Sequence, residues 1–198
     1  MFLSYLMTAQ THGESRALAQ GLRARDPALI ERLVVEYHYR LLRYLTALTG
    51  NPALADDLFQ ETWLRVIERG RQYKPEHRFE AWLFAIARHL FLDRVRRKPE
   101  ISLGTFEGGG EEGTAFELLD DDASPYELLR AEEERQGMQR ALMALPAAHR
   151  EVLVLRFHED LRLEEIAAIT GVALSTVKSR LYRGLAALGP KLSAGGAA

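Results

Sequence analysis

Residues 163–188 read LEEIAAITGVALSTVKSRLYRGLAAL, and the second half of that segment carries the side chains best equipped to engage a ligand. Thr176, Lys178, Ser179, Arg180, Tyr182 and Arg183 follow one another there without a single acid. On a helix, Lys178 and Tyr182, and Ser179 and Arg183, are i,i+4 neighbours on one side, while Val177, Leu181, Leu185 and Leu188 recur on the inward side. Hydroxyls and guanidinium groups on an open face can read base edges, and Lys and Arg neutralise phosphates, so this face suits the major groove of a duplex. The residues ahead of it supply matching punctuation. Ala167 is small where two helices approach, Gly171 accepts a positive φ at the turn, and Ser175 is placed to cap the second helix. That is a helix-turn-helix pattern. A solvated amphipathic helix would not need the small residue, the glycine and the acid-free face together.

Catalysis finds no comparable constellation. The six histidines, His12, His38, His77, His89, His149 and His158, form no metal-ligand spacing, and no nucleophile motif is visible. The run Gly108-Gly109-Gly110 is not a phosphate loop, because no Lys-Ser/Thr pair follows it. The absence of cysteine excludes disulfides and thiolate-bound zinc. We expect no enzyme, no cofactor and no metal.

The elements that must position these residues are helical. Leu29, Leu33, Tyr37, Leu41, Leu45 and Leu48 recur every three or four residues and paint one stripe, which Gly50-Asn51-Pro52 interrupts. A second helix is predicted from about Ala53, burying Leu54, Leu58, Trp63, Val66 and Ile67, and residues 70–78, with Pro75, are expected to form a loop. A third helix is predicted over 79–97. Its Trp82, Leu83, Ile86, Leu90 and Phe91 can face inward, while Arg88, Arg94, Arg96 and Arg97 cannot all do so. Helical periodicity returns over 126–192, with breaks at Pro146, Gly171 and Pro190; Pro146 suits the first turn of a helix that buries Val152, Leu153 and Leu155.

Charge divides the chain in the same way. Residues 99–134 hold twelve carboxylates against Arg130 alone, about -11, which leaves about +9 on the rest of a chain whose total is -2. With few apolar residues and a triple glycine, this stretch cannot offset its ordering entropy by burial, and it marks a domain boundary. With 198 residues and 47% hydrophobic content, the chain can bury one ordinary core or two of roughly 60–80 residues each. The expected fold class is all-α: two small helical domains joined by a flexible acidic linker. The segments are an extension over 1–24, a first domain over 25–98, the linker over 99–128, a second domain over 129–192 and a tail over 193–198. The opening MFLSYLM is too short for a signal peptide, and no run approaches a membrane span, so a soluble, cytoplasmic chain without membrane insertion is expected.

Residues 57–66, DLFQETWLRV, then 79–93, FEAWLFAIARHLFLD, and then Arg96-Arg97 resemble region 2 of the extracytoplasmic-function (ECF, group IV) sigma factors of the sigma-70 family. Residues 145–188 resemble their region 4. The resemblance implies that the first domain is a region 2 helical bundle and the second a region 4 helix-turn-helix. It further implies an RNA polymerase sigma factor that directs promoter recognition, strand opening and transcription initiation. Asp57, Gln60 and Glu61 would bind the clamp helices of the largest subunit of core RNA polymerase, and region 4 would meet the flap of the second-largest. The -10 element would be held by Tyr73, Lys74, Arg78, Arg88, His89, Arg94, Arg96 and Arg97, since unstacked bases need replacement contacts and arginines can hold the freed backbone. His89 stands where the family often has Asn. The -35 element would meet Lys178, Ser179, Arg180, Tyr182 and Arg183, with Arg156 and Thr176 on phosphates. An anti-sigma factor is the further partner the resemblance implies, and the acidic linker would thread near the polymerase active centre. The competing reading is a conventional helix-turn-helix regulator, which would bind duplex DNA without polymerase.

Overall fold

The computed structural model describes residues 14–97 and 136–195, and among them every regular element is a helix. Residues 14–24 form α1, followed by α2 (Pro27–Thr49), α3 (Pro52–Arg69) and α4 (Phe79–Arg97). Residues 136–143 form α5, and then come α6 (Ala147–Leu153), α7 (Leu163–Thr170) and α8 (Leu174–Gly195). The linker over 99–128, the first thirteen residues and the last three lie outside the described residues.

Local sequence explains the boundaries. Asp26 caps α2 by accepting from Ala28 N–H at 3.0 Å, Pro27 opens the helix, and Gly50, at φ 65, closes it with its N–H on the Thr46 carbonyl. Asn51 then accepts from Leu54 N–H at 3.1 Å to start α3. The Thr49 hydroxyl accepts from Asn51 N–H and donates to the Asn51 carbonyl, so the turn between α2 and α3 is tied from both sides. Every residue of the predicted α2 stripe is buried, as are Leu58, Trp63 and Val66 of α3 and Leu83, Ile86, Leu90 and Phe91 of α4. Ala19 and Leu22 of α1 join the same cluster.

The C-terminal helices differ from expectation in three places. Pro146 precedes α6 as its cap residue, and α6 continues into a π-helical turn, Val154–His158, instead of one regular helix. Helix α8 begins at Leu174, where the Ala173 carbonyl accepts from the N–H groups of Thr176 and Val177, so Ser175 lies inside the first turn and is not the cap. The same helix runs through Pro190 to Gly195 instead of breaking there; so near the free end, proline forfeits one backbone bond with little helix left to disrupt.

The buried residues of the N-terminal and C-terminal helices form one continuous cluster, with α6 packed on α2 and α7 on α4. Arg150 is pinned in this contact. Its side chain is fully buried and donates to the carbonyls of Met143 at 2.8 Å and Leu145 at 3.5 Å, and across to the Ala47 carbonyl of α2.

Candidate nucleic-acid interface

Helices α7 and α8 meet at the turn that the sequence predicts. Gly171 stands at φ 67, with its N–H on the Ala167 carbonyl at 2.9 Å, a conformation that costs an L side chain roughly 1 kcal/mol or more. Glu165 reaches back to accept from Arg162 N–H at 2.7 Å, tightening the start of α7. Ile166, Ile169, Val177 and Leu181 fill the angle between the helices.

The inward stripe of α8 is shifted by one residue from the predicted one. Leu185 is 40% exposed, and the buried position belongs to Gly184, so the inward series is Val177, Leu181, Gly184 and the partly buried Leu188. The cause is close approach. A Cβ on Gly184 would lie 3.1 Å from Leu153 Cδ1 and 3.5 Å from His149 Cβ, so α8 rests on α6 through a residue without a side chain.

On the other side of α8, Lys178, Tyr182 and Arg183 are exposed, and Thr176, Ser179 and Arg180 are half-buried at its edges. Tyr182 is 70% exposed, so a phenol ring stands open to a ligand. Arg156 lies half-buried within the π turn and is held by Asp160 Oδ1 at 3.3 Å and the Leu161 carbonyl at 3.1 Å. This face offers three hydroxyls and three cations with no carboxylate in the same run.

The N-terminal candidates are divided by the structure. Lys74, His89, Arg96 and Arg97 are exposed, with Arg96 paired to Asp93 one turn away. That contact holds the Asp93 carboxyl below its ordinary range. Arg94 reaches Glu61 at 3.4 Å. Arg78 and Arg88 face the C-terminal helices, where Arg78 donates to the Asp160 carbonyl at 2.9 Å and Arg88 to Glu151 at 2.7 Å.

Tyr73 must be withdrawn as a base contact. It is 1% exposed, its hydroxyl donates to the His77 carbonyl at 2.9 Å, and its ring packs against Phe79 and Trp82. The physical reason is the 3-10 turn Gly70–Gln72, which folds the loop back so that the aromatic ring closes the core. Burial pushes its phenol up to about 12. Trp82 is half-buried in the same cluster.

On α3, Asp57 and Gln60 are exposed and Glu61 is half-buried. Leu64, 60% exposed, follows them at helical spacing, so the carboxylate face ends in an apolar residue that the sequence reading passed over. Also passed over were Arg40, Arg43, Glu151 and Glu159, which join the two sets of helices.

Comparison with known proteins follows this division. The family Sigma-70 region 2 matches residues 33–99, and the family Sigma-70, region 4 matches residues 135–188. The ECF RNA polymerase sigma factor SigE of Mycolicibacterium smegmatis is 37% identical over 166 residues, which cover 84% of this chain and 62% of that protein. The chain thus spans less than two thirds of that relative's length. The ECF RNA polymerase sigma factor SigW of Bacillus subtilis is 30% identical over 158 residues, 79% of this chain and 84% of that one. Among solved structures, CnrH in complex with the cytosolic domain of CnrY aligns with a TM-score of 0.62 at 23% identity, covering 91% of this chain and 97% of that chain. The sigma factor RpoE in complex with the anti-sigma factor NepR from Bartonella quintana aligns with a TM-score of 0.63 at 23% identity, covering 82% and 96%. These two structural likenesses bear on the fold.

Proposed function

From the premise that this chain belongs to the extracytoplasmic-function sigma factors of the sigma-70 family, an RNA polymerase sigma factor that directs promoter recognition, we propose how its residues divide the work. Residues 25–98 serve as the clamp-binding and -10 domain, 129–192 as the -35 domain, and 99–128 as the acidic linker between them. Asp57, Gln60 and Glu61, with Leu64 beside them, face the clamp helices of the largest polymerase subunit. The second domain meets the flap of the second-largest.

At the -35 element, Lys178, Ser179, Arg180, Tyr182 and Arg183 enter the major groove, while Arg156 and Thr176 hold phosphates. At the -10 element, Lys74, His89, Arg96 and Arg97 meet the opened strand first. Arg78, Arg88 and Arg94 join them once their carboxylate and carbonyl partners are displaced. An imidazole at position 89 hydrogen-bonds or stacks on a base with a different reach from an amide, so it is a determinant of -10 preference. The chain itself supplies no chemistry; polymerase does. An anti-sigma factor is its regulatory partner, as the anti-sigma factor NepR is the named partner of the structural relative RpoE. It acts in the cytoplasm, and among the described residues no helix is long and apolar enough to cross a membrane.

The observation that carries this reading is the exposed, acid-free face of α8, set by Gly171 and Gly184 against α7 and α6. Its test is the salt dependence of promoter binding by the polymerase holoenzyme. Lys178→Ala and Arg183→Ala should each weaken that binding, by about 1–3 kcal/mol where the side chain reads a base edge and with a slope of log K against log salt lower by about 1 where it also holds a phosphate. Unchanged affinity and unchanged slope in both variants would remove α8 from the interface.

A further inference from the structure

Helix α1 lies ahead of the residues that match region 2, yet Ala19 and Leu22 build it into the same core. Its last turn rests directly on the junction between α3 and the 3-10 turn. A Cβ on Gly70 would stand 2.6 Å from the Leu22 carbonyl oxygen, so only glycine allows the approach. That contact sets Arg23, the neighbour of Leu22, beside Arg69 and Arg71, the neighbours of Gly70. Arg25 follows at φ 55, closing α1 with its N–H on the Leu22 carbonyl at 3.2 Å. Glycine takes that left-handed conformation without a Cβ penalty, whereas here the position holds an arginine. Arg16 stands seven residues before Arg23, on the same side of α1.

All five arginines are exposed, and among the described residues none of their side chains forms an ion pair or hydrogen bond. Of the carboxylates close to them in sequence, Glu68 is paired with Arg65 at 3.1 Å and Asp26 caps Ala28. Arginines elsewhere on the fold find acids, as Arg88 and Arg94 do. These five gather like charge instead, and the repulsion among them is relieved only by a partner that brings negative charge.

We propose that this patch is a second phosphate track, which holds the DNA backbone flanking the -10 element. This role rests on the sigma reading above. Continuity decides the partner: Lys74 follows Arg71 with only Gln72 and the buried Tyr73 between them, so the patch runs without an acid into the -10 surface. Spacing fits as well. Arg16 and Arg23 lie about 10 Å apart along α1 at 1.5 Å per residue, the rise of about three nucleotides on one strand of a duplex. The guanidinium fork matches phosphate oxygens, and contacts of this kind supply affinity and register without reading bases.

The test uses the full chain in holoenzyme with core RNA polymerase and a promoter fragment recovered by run-off transcription. Arg23→Gln/Arg71→Gln should lower the slope of log K against log salt by about 1.4–1.8, two contacts at about 0.7 each on a single strand or about 0.9 each on a duplex. Arg25→Gly should raise Tm, by relieving the left-handed arginine, and yet weaken promoter binding; a merely structural role would move both in the same direction. Fragments cut back stepwise toward the -10 element should bring parent and double variant to the same slope once the flanking backbone is gone. Parent-like promoter binding by both variants overturns the proposal, and so does a slope difference that persists on a fragment holding the -10 element alone. Variants that lose retention on phosphatidylglycerol vesicles but keep the parent's slope on DNA assign the patch to a lipid surface and overturn it too. A parent chain that forms no promoter-binding holoenzyme removes the sigma reading and this role with it, whereas a parent and variants that bind equally remove the patch alone.

Discussion

Replacing Arg150 by Met tests whether a buried cation without a counter-ion holds this fold together. The side chain is fully buried, donates to the carbonyls of Met143 at 2.8 Å, Leu145 at 3.5 Å and Ala47, and has no carboxylate partner among the described residues. Burial depresses its pKa below the ordinary guanidinium value, the direction expected where desolvation is uncompensated by a negative charge. Two well-made hydrogen bonds from a charged donor contribute about 1.5–3 kcal/mol each, or about 3–6 kcal/mol together. Removing the guanidinium returns several kcal/mol of desolvation but strands the carbonyls it served, and the net cost of breaking such a buried network is about 3 kcal/mol. For a chain of this length that is a fall of about 6–12 °C in Tm. Arg150→Lys, which keeps the charge and loses the forked geometry, should fall between the two. The assay is thermal unfolding followed by circular dichroism. A Met variant as stable as the parent would refute the reasoning, because the hydrogen bonds would then do no more than cancel the cost of burying the cation.

Two further outcomes follow from the same geometry. Gly184→Ala should be near neutral, since relief of glycine's helix penalty of about 1 kcal/mol opposes a tight contact with Leu153, whereas Gly184→Leu should cost about 1–3 kcal/mol by overpacking and weaken promoter binding as α8 is pushed from α6; urea unfolding and holoenzyme binding check both. Alkali should unfold the protein through its tyrosines. Burial, and then the Glu151 carboxylate, raises the Tyr44 phenol well above its free value of 10.0, and burial likewise raises Tyr37 and Tyr73. A raised folded-state value favours the protonated form, so the stabilisation is intact below pH 10 and is lost as pH rises through the folded values. Absorbance titration should show these phenols ionising late, together with loss of ellipticity; Tyr44 ionising near its free value in a folded chain would contradict it.

Sequence reasoning reached what local pattern encodes and stopped where distant residues meet. The α4 boundaries at Phe79 and Arg97, the α2 stripe and the Gly50-Asn51-Pro52 turn follow from periodicity and caps, which act within a few residues. The order of the region 2 and region 4 motifs carried the family. Tyr73 was misplaced because aromatic residues in loops serve cores and ligands alike, and only the fold of the Gly70–Gln72 turn decides between them. The one-residue shift on α8 was hidden because Gly184 reads as a gap in an apolar stripe and becomes its closest contact only when α6 is in place. Glu151 and Glu159 were passed over because nothing beside them in the sequence marks them. Their partners lie 63 to 119 residues away along the chain, a separation over which no local spacing can signal burial.

Run-off transcription with purified core RNA polymerase on fragmented genomic DNA tests the assignment most directly. With this chain added, initiation should begin at discrete sites sharing one element near -10 and another near -35, and Arg183→Ala should weaken use of the upstream element. Polymerase that neither retains the chain nor initiates at any sequence in its presence would contradict it.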